Sequence, residues 1–213
     1  MRPMNRPMPP EHLLNIDPEF QPTELEPAFE VKKWIEQTFL DKESKLYNPD
    51  HEHLSYFDET FLAVLWASSG FAKGGRFVLG QCERVAFRAG GWQKARQEKQ
   101  MRDWFGFIPT YLITLDAKYS SEASDIDFCA LVEHELYHIG VKRDEEGEML
   151  FSDMTGEPKH YLRGHDVEEF FGVVERYGAN ESVMKMAELA NNAPTVSKAN
   201  IAQACGTCLL KLA

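Results

Sequence analysis

Long apolar segments are absent from this chain of 213 residues. No stretch approaches the roughly 18 apolar residues that a membrane-spanning helix requires. The first ten residues are rich in methionine and proline and lack the apolar core of a secretory signal. We therefore expect a cytoplasmic protein with no membrane segment.

Positive charge is also scarce, because 23 lysines and arginines are set against 34 aspartates and glutamates, for a net charge of −11. This balance argues against a general nucleic-acid surface, which needs basic side chains to displace counterions. One basic cluster, interleaved with Trp92 and Trp104, consists of Arg84, Arg88, Lys94, Arg96, Lys99 and Arg102. We interpret it as a solvated loop or helix face, with a local partner-binding surface as the alternative.

The chain has only four cysteines. We expect no disulfide framework, because the cytoplasm keeps thiols reduced. Cys205 and Cys208 form a single C-x-x-C pair near the C-terminus. A structural zinc site normally uses two such pairs, or one pair with histidines. We interpret this pair as inert, and redox activity or metal binding across a dimer are the alternatives.

The most informative segment that is present is His134-Glu135-Leu136-Tyr137-His138, which fits the pattern H-E-x-x-H. On a helix, residues i and i+4 lie on the same face, so His134 and His138 can bind one zinc ion. Glu135 then lies beside the ion, close enough to accept a proton from a zinc-activated water. Tyr137 should point away from the ion. The pattern predicts a zinc-dependent peptidase with Glu135 as its general base.

The residues around this motif predict a helix. Acidic residues at 125 and 127 suit its N-terminus, and Gly140 is expected to end it. An apolar stripe at helical spacing is formed by Ile126, Phe128, Leu131, Val132, Leu136 and Ile139.

A catalytic zinc site needs a third protein ligand and one open position. Of the two downstream histidines, His160 and His165, we predict His165, at the start of a second apolar-faced helix that Gly178 would end. Glu168 and Glu169 share the face of His165. Either glutamate remains an alternative ligand. In that case His165 would orient the ligand without binding the ion itself.

These two segments, LVEHELYHIG and GHDVEEFFGVVERYG, resemble the putative phage metallopeptidase family over roughly residues 25–178. The layout is also similar to that of ImmA/IrrE-type and SprT-like peptidases, in which the next helix supplies the third ligand. The resemblance implies His134, His138 and His165 as zinc ligands and Glu135 as the catalytic base. ImmA/IrrE-type proteins usually have a glutamate at the third position, so their specificity does not transfer. For a phage product, the compartment would be the host cytoplasm.

We predict an α+β, zincin-like domain with a small twisted sheet, the H-E-x-x-H helix and a following metal-ligand helix. A disordered or extended arm should cover residues 1–25, the domain residues 26–178, and a helix with a tail residues 179–213. Helices are predicted at 27–40, 54–69 and 181–190, and strands at 76–82 and 111–115. The strand at 111–115 is expected at the sheet edge, where a peptide substrate could add as a strand. Residues 149–151 and 160–163 should pair as a hairpin.

Three questions stay open at the level of sequence. The donor that stabilises the oxyanion could be Tyr161, Arg163, His160 or Tyr177. His51 and His53 are assigned to the surface, because i, i+2 spacing points the two side chains apart on a helix. Besides a peptidase acting on a protein or peptide, the alternatives are a metal-stabilised binding module and a zinc amidase for a non-protein amide. The presence of a glutamate at position 135 favours an enzyme, since structural zinc needs no base there.

Overall fold

The computed structural model describes residues 5–73, 76–167 and 171–199. The helices α1–α7 span Glu11–Leu14, Phe29–Ile35, Gly91–Phe105, Ala117–Glu122, Asp125–Tyr137, Phe171–Tyr177 and Glu181–Asn191. The strands β1–β8 span Leu25–Pro27, Leu62–Ala67, Phe71–Lys73, Arg76–Val78, Gly80–Arg84, Tyr111–Asp116, Ile139–Val141 and His160–Leu162. A π-helical turn at Glu36–Leu40 extends α2, and a 3₁₀ helix covers Pro49–Tyr56. Mixed α+β architecture with small sheets agrees with the predicted class. Within the described ranges, no helix combines the length and apolarity that crossing a bilayer requires.

The main sheet has four strands in the order β1-β2-β6-β5. Its two central strands, β2 and β6, are parallel, and β1 and β5 flank them in antiparallel orientation. All six residues of β2 are buried, because both faces of the sheet are covered. The smaller sheets are the antiparallel pairs β3-β4 and β7-β8.

The alternation of side chains along β2 divides the interior into two cores. Leu62, Val64 and Trp66 point into the larger core, which also contains the apolar residues of α2 and α5. Ala63 and Leu65 point to the opposite face, where they meet Phe105 from the last turn of α3. The sheet therefore separates α5, with its histidines, from α3.

Helix α5 forms where the sequence predicts it. Its N-cap is Ser124, whose hydroxyl oxygen accepts a hydrogen bond from the Asp127 amide at 3.1 Å. The predicted apolar stripe is buried, apart from the half-buried Ile126. Gly140 is not the helix stop: α5 ends at Tyr137, and Gly140 lies in β7. A Cβ at Gly140 would come within 2.8 Å of Tyr161 Cζ, so this glycine lets the tyrosine ring pack on β7.

The helix predicted over residues 54–69 is wrong. Residues 54–56 belong to the 3₁₀ helix, and the apolar run that follows is strand β2. The strand predicted at 111–115 is confirmed as β6, but its edge position is wrong because β2 and β5 pair with both of its sides. A peptide therefore cannot add to β6. The outer strand of the sheet next to β6 is β5, in which Gly80 and Cys82 are buried.

The predicted hairpin is partly wrong. Residues 160–162 do form a strand, but the main partner of β8 is β7, which directly follows α5. Residues 149 and 151 form only isolated bridges, to Arg143 and Pro158. The helix from 181 is confirmed as α7, and Gly178, with φ of +88°, ends α6 as predicted.

The N-terminal residues lie against the domain. Leu13 of α1 is buried in the larger core. The Arg6 guanidinium donates to Asp125 Oδ1 at 2.9 Å and to the carbonyl oxygens of Ser120 and Ala123, both at 2.7 Å. It also lies 4.9 Å from the centre of the Phe128 ring. These contacts attach the extended N-terminal segment to the start of α5.

Candidate metal centre

Three histidine side chains converge at the C-terminal end of α5. His134 is on the last turns of the helix, His138 is its C-cap, and His165 lies in the non-helical segment after β8. One ring nitrogen from each lies within 4.8 Å of the others, a grouping that could hold a metal ion. The structure thus brings together the three residues that the sequence selects as ligands, over a separation of up to 31 positions.

The distance between Nε2 of His134 and Nε2 of His165 can be compared with that between two ligands on a small tetrahedral ion. Nε2 of His165 lies 3.1 Å from Nε2 of His134. Two imidazole nitrogens on one tetrahedral zinc would be about 3.3 Å apart, given Zn–N bonds of about 2.0–2.1 Å. The ring centres of the three histidines are 4.9 to 5.2 Å apart. The His134–His165 spacing is therefore close to that of two ligands on one zinc-sized ion.

The orientation of the His138 ring is fixed by the backbone of Arg163. The carbonyl oxygen of Arg163 accepts a hydrogen bond from His138 Nδ1 at 2.7 Å. This contact sets the tautomer with the proton on Nδ1 and the lone pair on Nε2, the arrangement usual behind a metal-ligating histidine. His138 is buried, so competing contacts with solvent are largely removed.

The electrostatics of the cluster keep His134 neutral. Burial of the imidazole, followed by the proximity of His138 and His165, lowers the pKa of His134 to about 4. Only the neutral imidazole has a lone pair for a metal. At neutral pH the site thus presents this nitrogen in its metal-binding form.

Glu135 is fully buried between α5 and strand β5. The space for its carboxyl comes from Gly80: a Cβ at that position would lie 2.8 Å from Glu135 Oε1 and 3.0 Å from Leu131 Cδ1. A glycine in this strand allows the close approach of the helix. The requirement for a small residue at 80 could not be recognised before the pairing of β5 with the rest of the sheet was known.

The helix predicted to carry His165 begins later than expected. His165 precedes α6, which starts at Phe171 in the described part of the chain. The segment before it is held at Arg163, whose guanidinium forms an ion pair with Asp166 at 2.5 Å. Glu168 and Glu169, the alternative ligands, lie outside the described residues, as do Cys205 and Cys208.

The surface assignment of His51 and His53 is wrong, since both side chains are buried. His53 Nε2 lies 2.8 Å from the carbonyl oxygen of Ile139, the residue after His138. That carbonyl points away from β8, because the β7-β8 pairing uses the backbone of His138 and Lys142. His53 therefore supports the chain where it leaves α5. Nothing in the local sequence indicates this role, which depends on a contact between residues 86 positions apart.

The residues considered as oxyanion donors have different surroundings. His160 Nδ1 lies 3.1 Å from the Tyr111 hydroxyl, and the Tyr161 ring packs on Gly140. Tyr177 is largely exposed on α6. Arg163 contacts His138 through its backbone.

The Tyr137 side chain makes its hydrogen bonds on a side of α5 away from the histidine cluster, which is the direction predicted for it. Its hydroxyl donates to Asp50 Oδ2 at 2.9 Å and accepts from Asn48 Nδ2 at 3.0 Å. These contacts bind the 3₁₀ helix to the end of α5.

Comparison with known proteins gives a family but no individual relative. No curated protein and no solved structure matches the chain, so the likeness to ImmA/IrrE-type and SprT-like peptidases stays a prediction. Residues 32–191, most of the chain, match the family model described as putative phage metallopeptidase. The match includes all three histidines and Glu135. The chain therefore belongs to the putative phage metallopeptidase family.

Proposed function

We propose that this protein is a zinc-dependent peptidase in which His134, His138 and His165 hold the ion and Glu135 is the general base. The observation that carries this proposal is the convergence of three imidazoles within 4.8 Å, with Glu135 next to the first of them on the same helix. Family membership supports a metal and a protein or peptide substrate. The identity of the metal and the role of each residue are inferred from chemistry.

The donor set favours zinc. Three imidazole ligands with one remaining position correspond to a catalytic zinc site with three protein ligands. Harder ions such as Mg²⁺ and Ca²⁺ prefer oxygen ligands. Other transition metals accept imidazole as well, so metal analysis is part of the test below.

Glu135 and His138 would have separate roles in the reaction. When bound, zinc polarises the substrate carbonyl and acidifies a water molecule. Glu135 would accept the proton from that water and later pass it to the leaving amine, so it acts first as base and then as acid. The burial of Glu135 excludes bulk solvent from its carboxyl group. His138 would be held in its ligand orientation by the carbonyl of Arg163.

The retention of a glutamate at 135 separates this proposal from a metal-stabilised binding module. A structural zinc site has no use for a carboxylate beside its first histidine. A carboxylate that is fully buried, as Glu135 is, also costs solvation free energy. Such a cost is expected where the group is needed for proton transfer.

The decisive experiment compares Glu135→Gln with Glu133→Gln. Both substitutions remove one carboxylate from α5, but Glu133 faces Asn48 and His51 and not the histidine cluster. Purified proteins would be analysed for metal content and incubated with a fluorogenic peptide library, with and without chelator. We expect Glu135→Gln to retain zinc and to lose about 10²–10⁴-fold in cleavage rate. Glu133→Gln should cleave like the wild type.

Two results would contradict the peptidase assignment. The first is full activity in Glu135→Gln with zinc retained, which would favour a scaffold organised by metal. The second is metal-dependent hydrolysis of non-peptide amides only, which would favour the amidase alternative. Loss of zinc from Glu135→Gln would instead show that Glu135 is a ligand.

A further inference from the structure

Helix α3 is an exposed basic element on an acidic protein. Residues 84–103, which include most of α3, contain six basic and two acidic residues, while the whole chain has a net charge of −11. Every residue from 91 to 97 is exposed. Only the last turns contact the sheet, through Met101, Trp104 and Phe105 in the smaller core. The N-terminal half of α3 therefore presents its side chains to solvent.

Trp92 has no structural role that the described contacts explain. It is 91% exposed, although a tryptophan normally buries most of its large apolar surface. Met101 lies nine positions further on, about two and a half turns, so Trp92 points away from the face that packs on the sheet. Core packing does not account for this residue.

Arg96 and Lys99 lie on the same stripe as Trp92, at i+4 and i+7. Among the described residues, no carboxylate lies within ion-pair distance of Arg96. Lys99 is paired with Asp103 on the same helix, with both side chains well exposed. Such a surface pair contributes little free energy, so a partner's carboxylate can compete for Lys99. We call Trp92, Arg96 and Lys99 the Trp92 face.

Ion pairs between side chains of α3 stabilise the helix that carries this face. Glu98 forms i,i+4 ion pairs with both Lys94 and Arg102, and Lys99 does so with Asp103. Pairs at this spacing add modest stability to a helix. The α3 backbone that carries the Trp92 face is thus helical before any partner binds, which lowers the entropic cost of binding.

We propose that the Trp92 face is a docking site for an acidic segment of another protein that also carries an apolar side chain. Charge complementarity supports this partner: Arg96 offers a planar fork for a carboxylate, and Trp92 offers an apolar surface. Tryptophan and arginine are the residue types that most often dominate the energy of protein interfaces. This docking function lies beyond the proposed peptidase activity and does not depend on it.

A nucleic acid fits these features less well. It presents a continuous line of negative charge, which the remaining, strongly acidic part of the chain would repel. Binding of single strands also relies on several aromatic platforms in succession. The Trp92 face offers one, whereas an acidic peptide segment needs only local positive charge.

The test uses the full chain and a short synthetic peptide of glutamate, glycine and leucine. Calorimetry would measure its affinity at low and high salt, and the indole N–H signal of Trp92 would report the binding position by NMR. A peptide with lysine in place of glutamate and an oligothymidylate of equal charge are the comparison probes. We expect the acidic peptide alone to bind, to shift the Trp92 signal and to weaken with added salt.

The variants remove exposed side chains and leave the core intact. Trp92→Ala should weaken binding at least about tenfold, and so should the double variant Arg96→Glu with Lys99→Glu. The matched control, Lys45→Glu with Lys185→Glu, makes the same change in net charge at exposed positions elsewhere. It should retain the wild-type affinity.

Any of three results would overturn the proposal. One is the absence of binding by the acidic peptide at low salt. Another is an equal loss of affinity in the matched control, which would indicate a response to net charge alone. The third is binding of the oligothymidylate in preference to the peptide, which would assign the face to nucleic acid.

Discussion

His138 and Arg163 are joined by two hydrogen bonds of 2.7 Å. The Arg163 amide donates to the His138 carbonyl, and the His138 ring donates through Nδ1 to the Arg163 carbonyl. The first continues the pairing of β7 with β8, and the second orients a predicted ligand. Because both use the backbone of Arg163, the β7-β8 pair itself holds the ring. Strand β8 of this pair ends at Leu162, three residues before His165, so the pair also brings the third histidine to the cluster.

The metal-binding prediction follows from this arrangement. Protein purified without added zinc should contain close to one zinc per chain. His134→Ala and His138→Ala should abolish binding, because each removes one of the two proposed ligands at the C-terminal end of α5, and His165→Ala should weaken it strongly. His12→Ala is the matched control, since His12 is well exposed on α1 and pairs with Glu26. Metal content by elemental analysis and affinity by chelator competition provide the measurements.

Of the three proposed metal ligands, His165 is the least constrained. His165 is exposed, whereas His138 is buried. If His165→Ala kept the zinc affinity of the wild type while Glu169→Ala abolished it, the glutamate would be the ligand. A parallel loss in Glu168→Ala would point to that residue instead.

Gly80 should be required for activity more than for folding. A methyl group at this position would collide with the Glu135 carboxyl and with Leu131, so Gly80→Ala must displace one of them. We expect a large fall in kcat, little change in metal content, and destabilisation of about 1–3 kcal/mol from overpacking. Gly90→Ala is the control, because no atom lies within 4 Å of its added Cβ. Wild-type kcat in Gly80→Ala would show that the carboxyl position is not critical.

The parts of the site that could be predicted depend on covalent spacing. His134, Glu135 and His138 lie within five positions on one helix, and helical geometry alone brings the two histidines to one face. The apolar stripe of α5 is similarly local. His165 could be proposed because few histidines follow the motif. Its approach to His134 depends on the β7-β8 pair. The sequence predicts a strand at β8 but pairs it with residues 149–151 in place of β7.

The parts that could not be predicted depend on contacts between distant segments. The apolar run at 62–67 has no period, so a buried strand and a buried helix look alike in sequence. It is a strand because β6 pairs with all six residues. The burial of His51 and His53 likewise follows from the position of Tyr137 and Ile139, far along the chain. Neither position carries a local signal for burial, since both residues are polar.

Arg6 should stabilise the domain through its three hydrogen bonds at the start of α5. Its side chain is only 7% exposed. The planar guanidinium reaches Asp125 and two backbone carbonyls at once, a geometry that lysine cannot reproduce. We expect both Arg6→Ala and Arg6→Lys to lower the free energy of unfolding by about 1–3 kcal/mol in urea titrations. Wild-type stability in Arg6→Lys would mean that only the charge matters.

His53 should make the stability of the metal-free protein depend on pH. Burial, as the largest cause, lowers the pKa of this imidazole from its ordinary value of 6.5, against the opposing effect of its hydrogen bond with the Ile139 carbonyl. As the pH falls below about 6.5, the unfolded chain therefore takes up a proton at His53 before the folded chain does. The contribution of His53 to stability is complete above that pH and is lost progressively below it.

The variant His53→Gln tests this dependence. It keeps an N–H donor for the Ile139 carbonyl but cannot titrate, so its stability should fall less on acidification. Urea titrations of both proteins in EDTA, from about pH 7 to about pH 5, measure the difference. If the two stabilities fell in parallel, proton uptake at His53 would not contribute, and the acid sensitivity would belong to other groups.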